Sequence, residues 1–226
     1  MHIATLNQIK IEEASFVVLD FETVTPKGRP PEPIELAAMR INPGLQVDHE
    51  FKFDKLIKPP DGAPITSFDT VQTGIRWNDV RDKPPTSVAL REFDVLLQER
   101  EYLLVAQNAR YEAAIINRFP DECQHIVKMP FIDTIALAKY LVLGMPNYKL
   151  NSLARHFSVT IPINRHRALP DVEIALQIFL KLLEIGQKTK RIHRVIDLRH
   201  VAEIKKYRSK KATQRSLFDY NHTNST

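Results

Sequence analysis

The amino-acid sequence predicts a mixed α/β layer fold, a β-sheet with helices on both faces. Three observations carry that prediction: apolar, β-branched runs in the first 57 residues, an alternation of strand and helix signals after them, and apolar residues at helical spacing in the late segments. No internal repeat interrupts the pattern.

Phe16–Asp20 (FVVLD) is a short apolar run with β-branched residues and reads as a buried strand. Lys27 to Pro33 (KGRPPEP) is a turn-rich break, and Ile34–Ile41 (IELAAMRI) reads as the next strand. A third, hairpin-edged strand fits His49–Ile57, where Phe51, Phe53 and Leu56 alternate loosely before Pro59 and Pro60. Residues 58–85 hold several prolines with weak periodicity and are expected to be mostly loop. Thr86 can cap a helix running to about Arg100, with Val88, Phe93, Leu96 and Leu97 on one face. Tyr102–Ala106 (YLLVA) reads as another buried strand, followed by a helix from about Arg110 to Arg118. Asp133 can N-cap a further helix to about Leu143, ended by Gly144 and Pro146. Tyr148–Phe157 reads as a short helix. From Ala168 to about Ile185, apolar residues at 172, 175, 176, 179, 180 and 183 follow helical spacing, with Pro170 tolerated in the first turn.

Composition narrows the function classes. Hydrophobic residues make up 43% of the 226 and charged residues 26%, which excludes full disorder and fibrous repeats. Six glycines against fifteen prolines, and no G-x-x-x-x-G-K or G-x-G-x-x-G string, argue against a glycine-rich phosphate loop. The single cysteine, Cys123, excludes an internal disulfide or a thiolate cluster and suits a reducing compartment. No apolar run approaches the ~20 residues that span a bilayer, and the opening MHIATLNQIKIEE lacks the apolar core of a secretory signal. The expectation is a soluble, cytoplasmic protein with no membrane partner.

The net charge of +5 is unevenly placed. Residues 187–215 carry eleven Lys or Arg against Asp197 and Glu203, while residues 1–186 hold 21 basic and 24 acidic groups. A near-neutral body with a basic tail is a polyanion-binding pattern, because each neutralised phosphate releases condensed counterions. The division expected is therefore a domain over 1–186 and a basic C-terminal tail over 187–226.

Asp20 and Glu22, in FVVLDFET, stand at the end of the first predicted strand, where side chains at i and i+2 leave on the same face. Two carboxylates facing one way at a buried strand end repel each other unless a cation sits between them, and hard oxygen ligands suit Mg²⁺ or Mn²⁺. Taken alone, a D-x-E is more often a solvated strand end, so its company decides. HRALPDVEIAL puts His166 just before the late helix and Asp171 in its first turn, and AQNARYEAAI places Asn108 and Glu112 at a strand-to-helix turn. Each acid near a helix start also has a bland explanation, since a carboxylate there is favoured by the helix dipole.

In this order and spacing the residues resemble the DEDD superfamily of 3′–5′ exonucleases, in its histidine-containing branch, and are similar to the proofreading epsilon subunits of bacterial replicative polymerases. The family's apolar strand ending D-x-E-T matches Asp20, Glu22 and Thr23. H-N-A-x-F-D lines up with Gln107, Asn108, Ala109, Arg110, Tyr111 and Glu112, and H-x-A-x-x-D matches His166, Ala168 and Asp171. FIDTIALAKYL and NYKLNSLARHF add similarity, so the match spans about residues 14–185. Glu112 departs from the usual Asp by one methylene, and Gln107 replaces a histidine that is not a metal ligand in the family.

The resemblance implies a ribonuclease H-like mixed sheet and two-metal hydrolysis of a terminal phosphodiester, with cations about 4 Å apart clamping the scissile phosphate. It implies Asp20 bridging both ions, Glu22 and Asp171 completing the nucleophile side, Glu112 holding the other ion through water, and His166 taking the proton from the attacking water. Thr23 and Phe21 would line the terminal-nucleotide pocket and Asn108 would orient the active-site turn. Strand alternation alone turns Phe21 to the face opposite Asp20 and Glu22, which favours core packing.

In the tail, QRSLFDY resembles the bacterial sliding-clamp-binding pentapeptide at Gln214, Ser216, Leu217 and Phe218, with Arg215 in place of the usual Leu. Between body and peptide, Ile192–Arg208 has the pattern of an amphipathic helix that could lie on the body, on DNA or on a polymerase. The partners expected are single-stranded or frayed DNA 3′ ends, the sliding clamp and a DNA polymerase. The same chemistry on RNA, and a nucleic-acid-binding adaptor weakened at Glu112, are the competing readings.

Overall fold

The computed structural model describes residues 6–162 and 167–205. Its centre is a five-stranded sheet in the order β3-β2-β1-β4-β5, made of β1 (Phe16–Val24), β2 (Glu32–Asn42), β3 (Gln46–Leu56), β4 (Leu103–Ala106) and β5 (Phe131–Asp133). β1, β2 and β3 form an antiparallel meander, whereas β4 and β5 add to β1 in parallel, so the sheet is mixed as expected. The helices are α1 (Ser67–Thr73), α2 (Trp77–Val80), α3 (Thr86–Leu96), α4 (Arg110–Ile116), α5 (Thr134–Leu141), α6 (Leu150–His156), α7 (Ala168–Lys188) and α8 (Val195–Ala202).

Strand alternation divides the core into two. Phe16 and Val18 of β1, with Leu103 and Val105 of β4, point to the face covered by α5, α6, α7 and α8. Val17, Leu19 and Phe21, with Leu104 and Ala106, point to the other face, covered by α3 and α4. Helix α7 presents Val172, Ala175, Leu176, Phe179 and Leu183 to the first face, where Phe179 meets Phe16 edge-on at 5.1 Å between ring centres.

Several elements depart from the sequence reading. Residues 58–85 are mostly loop, as expected, but two short helices, α1 and α2, interrupt it. A signal was present in Thr66 and Asp69, which cap α1 reciprocally, with Gly74 ending it at φ 70°. Thr86 is not a cap. It begins α3 as a buried residue, and Pro85, extended at φ −69° and ψ 164°, occupies the cap position. On α3 the buried face is Ala89, Leu90, Phe93 and, just beyond its end, Leu97, while Val88 and Leu96 face solvent. Asp133 does cap α5, accepting a 2.8 Å bond from the Ile135 amide, but it also ends β5, a three-residue strand too short to show a period.

The largest correction concerns the C-terminal segment. The packed body runs past residue 186: Ile192, Val195, Leu198 and Ala202 are buried in the α7 core, so the amphipathic stretch lies on the body. A Cβ at Gly186 would stand 2.8 Å from Ile192, which is the close approach that lets the chain double back onto α7. The basic residues between 188 and 205 therefore decorate a folded surface. Replacing Leu198 by Ala should cost about 2–5 kcal/mol, the usual range for emptying a buried leucine site, read from urea unfolding. A change under about 0.5 kcal/mol would show that α8 is only loosely attached.

Candidate active site

Asp20 and Glu22 leave the carboxyl end of β1 on the α7 face, as their i, i+2 spacing requires. Directly after them the β1–β2 register slips between Glu22 and Thr23, so that Glu22 faces Glu35 and Thr23 faces Pro33. Proline cannot donate to the ladder, and the slip beside it shifts the pairing by one residue before Thr23 and Val24 continue it. Helix α7 brings Asp171 in on its first turn. One carboxylate oxygen from each of Asp20, Glu22 and Asp171 lies within 4.8 Å of those of the other two.

The fourth acid comes from the β4–α4 turn. Asn108 is exposed and adopts the left-handed conformation, φ 66°, which asparagine tolerates better than most residues, and its carbonyl accepts the Tyr111 amide at 2.9 Å. This turn starts α4 and buries Glu112, which is 3% exposed. Its Oε2 has no hydrogen-bond partner among the described residues. Glu112 stands outside the three-acid cluster, yet its charge is the second-largest influence on Asp20 after burial.

The turn is held by Gln107, whose side chain donates to the Tyr148 carbonyl at 2.9 Å and accepts from the Thr134 hydroxyl. Gln107 thus ties β4 to the FIDT and NYKL segments, a structural role the sequence did not reveal. Thr23 is half-buried, its hydroxyl paired with the Tyr111 hydroxyl at 2.5 Å. Phe21 is 5% exposed and packs in the α3–α4 core, the role that strand alternation favoured over the terminal-nucleotide pocket, since it turns Phe21 away from the carboxylates. His166, and Gln214, Ser216, Leu217 and Phe218 of the tail peptide, lie outside the described residues.

Two residues absent from the sequence reading adjoin the cluster. Glu35 of β2 is completely buried and pairs with Arg167, the residue between His166 and Ala168. An acid within the apolar run IELAAMRI was its one signal, since a buried charge requires a partner.

A hard divalent cation fits this donor set. Carboxylates this close repel, the trio can offer three oxygens to one centre, and Glu112 turns an otherwise unsatisfied oxygen into the interior. The repulsion favours the protonated acids. Burial, then Glu112, Glu22, Asp171 and Glu35, raises the Asp20 carboxyl well above the usual carboxylate range. Burial first, and Asp133 after it, push Glu112 up to about 8. Both folded values lie above the unfolded ones, so this stabilisation is complete at acid pH and drains away as pH rises through about 8. With chelator present, the melting temperature should fall between about pH 5 and about pH 8, and Glu112→Gln should flatten that slope. An equally steep slope in the variant would contradict the assignment.

Comparison with known proteins agrees with the geometry. The family profile described as RNase T-type exonuclease matches residues 17–179. The chain is 34% identical over 192 residues to a DNA polymerase III PolC-type protein of Caldanaerobacter subterraneus subsp. tengcongensis, covering 85% of this chain. It is also 34% identical over 178 residues to the corresponding protein of Thermotoga petrophila, covering 78%. It spans 13% and 12% of the lengths of these relatives. The fold matches the nuclease domain of 3′hExo, a DEDDh family member solved with rAMP, at a TM-score of 0.63 and 15% identity, covering 79% of this chain and 96% of that one. E. coli Exonuclease I in complex with a dT13 oligonucleotide matches at a TM-score of 0.65 and 16% identity, over 78% and 42% of the two chains. With the three motifs converging on one end of a ribonuclease H-like sheet, the chain belongs to the RNase T exonuclease family, within the DEDD superfamily of 3′–5′ exonucleases.

Proposed function

We propose that this chain removes nucleotides from DNA 3′ ends, in proofreading or repair, using two Mg²⁺ or Mn²⁺ ions held by Asp20, Glu22, Asp171 and Glu112. The observation that carries the reading is the convergence of Asp20, Glu22 and Asp171, 151 positions apart in the chain, to within 4.8 Å. Bound divalent ions neutralise the crowded carboxylates, polarise the scissile phosphate and make water a stronger nucleophile. The protein's own part is to hold and orient. Asp20, which feels the charge of all the other acids, takes the central position, with Glu22 and Asp171 beside it and Glu112 approaching from α4. His166, in the segment just before α7, accepts the proton of the attacking water, a role suited to an imidazole. Thr23 and Asn108 flank the terminal nucleotide.

DNA is favoured over RNA by the PolC-type relatives, which are named as DNA polymerases. An unstacked end is the cheaper substrate, which favours mismatched or single-stranded termini. The tail is proposed to work as a basic arm ending in a clamp-binding peptide at 214–218, with Leu217 and Phe218 as apolar anchors. Attachment to the sliding clamp, and through it to a polymerase, would raise the effective concentration near primer ends. Cytoplasmic location accords with this. Among the described residues no helix is long and apolar enough to cross a membrane.

Incubation of 3′-labelled and 5′-labelled DNA and RNA oligomers with Mg²⁺ or Mn²⁺, against a chelator control, tests the reading. Release of labelled mononucleotide from the DNA 3′ end is expected. Preference for the RNA oligomer would favour RNA as substrate, and an untouched 3′ end would favour the adaptor. Asp20→Ala should lower turnover by about 10²–10³-fold or more while the fold persists, because repulsion is removed together with a ligand. Deleting 214–220 should leave trimming of short oligomers intact and weaken clamp association; equal clamp binding by the truncated chain would refute the tail assignment.

A further inference from the structure

We propose that Glu35 and Arg167 form a clamp that seats the first turn of α7, and so sets Asp171 against Asp20 and Glu22. Both are positioning residues, and the inference rests on the ion-binding reading of the acidic cluster. Glu35 lies opposite Glu22 in the β1–β2 register and shares the face that carries Ala37 and Met39 toward α7. Its carboxylate accepts the Ala168 amide at 2.8 Å and the Arg167 Nε at 2.9 and 3.0 Å, with a further contact from Arg167 Nη2.

The first amides of a helix have no partner within it, and an N-cap side chain normally supplies one. Arg167 occupies the cap position of α7 and makes no such bond. The first intrahelical bond, from the Asp171 amide to the Arg167 carbonyl, is long at 3.4 Å. The acceptor comes instead from β2, so the helix start is fixed to the sheet rather than to itself. An anion suits that end of the helix dipole. Asp171 follows Ala168 by three residues, one turn along on the same side, and His166 precedes Arg167 directly. A displacement of the clamp would therefore move Asp171 with it.

Charge makes the pairing demanding. Glu35 adds to the field that raises Asp20, and Asp54 of β3 is raised by burial and then by Glu35. Arg167 brings positive charge into this acid-rich corner, and its planar fork matches a carboxylate in a way an ammonium cannot. The family pattern leaves this position unspecified between the histidine and the alanine, yet here it carries the contact.

The test is calorimetric titration of the metal-free chain with Mn²⁺, alongside kcat, KM and the melting temperature in chelator, for wild type, Glu35→Gln and Arg167→Lys. Glu35→Gln should weaken Mn²⁺ binding by about 10–100-fold and lower kcat with KM unchanged, the scale on which supporting residues affect a metal site. Arg167→Lys should shift both in the same direction by less. A lower melting temperature with Mn²⁺ affinity and kcat at wild-type values would overturn the proposal and leave only a contribution to stability. Should Glu35→Gln not fold, Arg167→Lys decides, since that side chain is 42% exposed and tolerates exchange. Wild-type protein that binds Mn²⁺ without trimming any 3′ end would refute the exonuclease reading and leave the clamp standing.

Discussion

Carboxylates crowd the carboxyl end of β1, and their mutual repulsion is the constraint around which the remaining structure is organised. Asp20 feels Glu112, Glu22, Asp171 and Glu35 at once, in surroundings largely removed from water. No isolated strand or helix would hold such a group together. It persists because each acid is rooted in an element with a large apolar investment elsewhere. β1 is flanked by β2 and β4 and packs Phe16, Val17, Val18 and Leu19 into two cores, and α7 runs 21 residues with one face buried. Burial of apolar surface at a distance thus opposes electrostatic strain at one end of the sheet.

The placement follows from topology. β1 is the strand where antiparallel pairing, on the β2 side, gives way to parallel pairing, on the β4 side. Asp20 and Glu22 stand toward the carboxyl end of this central strand, with the β4–α4 turn and the start of α7 brought beside them. Three local devices then aim the side chains: the register slip after Glu22, the left-handed Asn108, and the contact of Glu35 with the start of α7. None involves the hydrophobic pattern, and each acts on the backbone next to a functional residue.

Much of this was legible in the residues. The strands at FVVLD and YLLVA, the long helix after Ala168 and the two-faced sheet all follow from period and composition, because apolar periodicity is a local property. Asp20, Glu22 and Asp171 were legible as a set since their motifs keep a characteristic order. Other features were hidden for definite reasons. β5 has three residues, too few for alternation to show, and α1 and α2 are short helices in a proline-rich stretch whose capping signal was outweighed by composition. Residues 192–202 carry so many basic groups that their charge masked an apolar stripe, and packing against α7 decides in favour of the stripe.

By itself, then, the chain's residue order determined the layer architecture, the alternation that points Asp20 and Glu22 one way and Phe21 the other, and the chemical character of the site. Tertiary structure decided what periodicity cannot express. It decided that Glu35 meets Arg167 across 132 positions, that Gln107 ties the active-site turn to Tyr148, and that the body continues through α8. These are contacts between residues remote in sequence, set by how two cores share one sheet, and they leave only a faint mark, such as a lone acid in an apolar strand, in the local pattern.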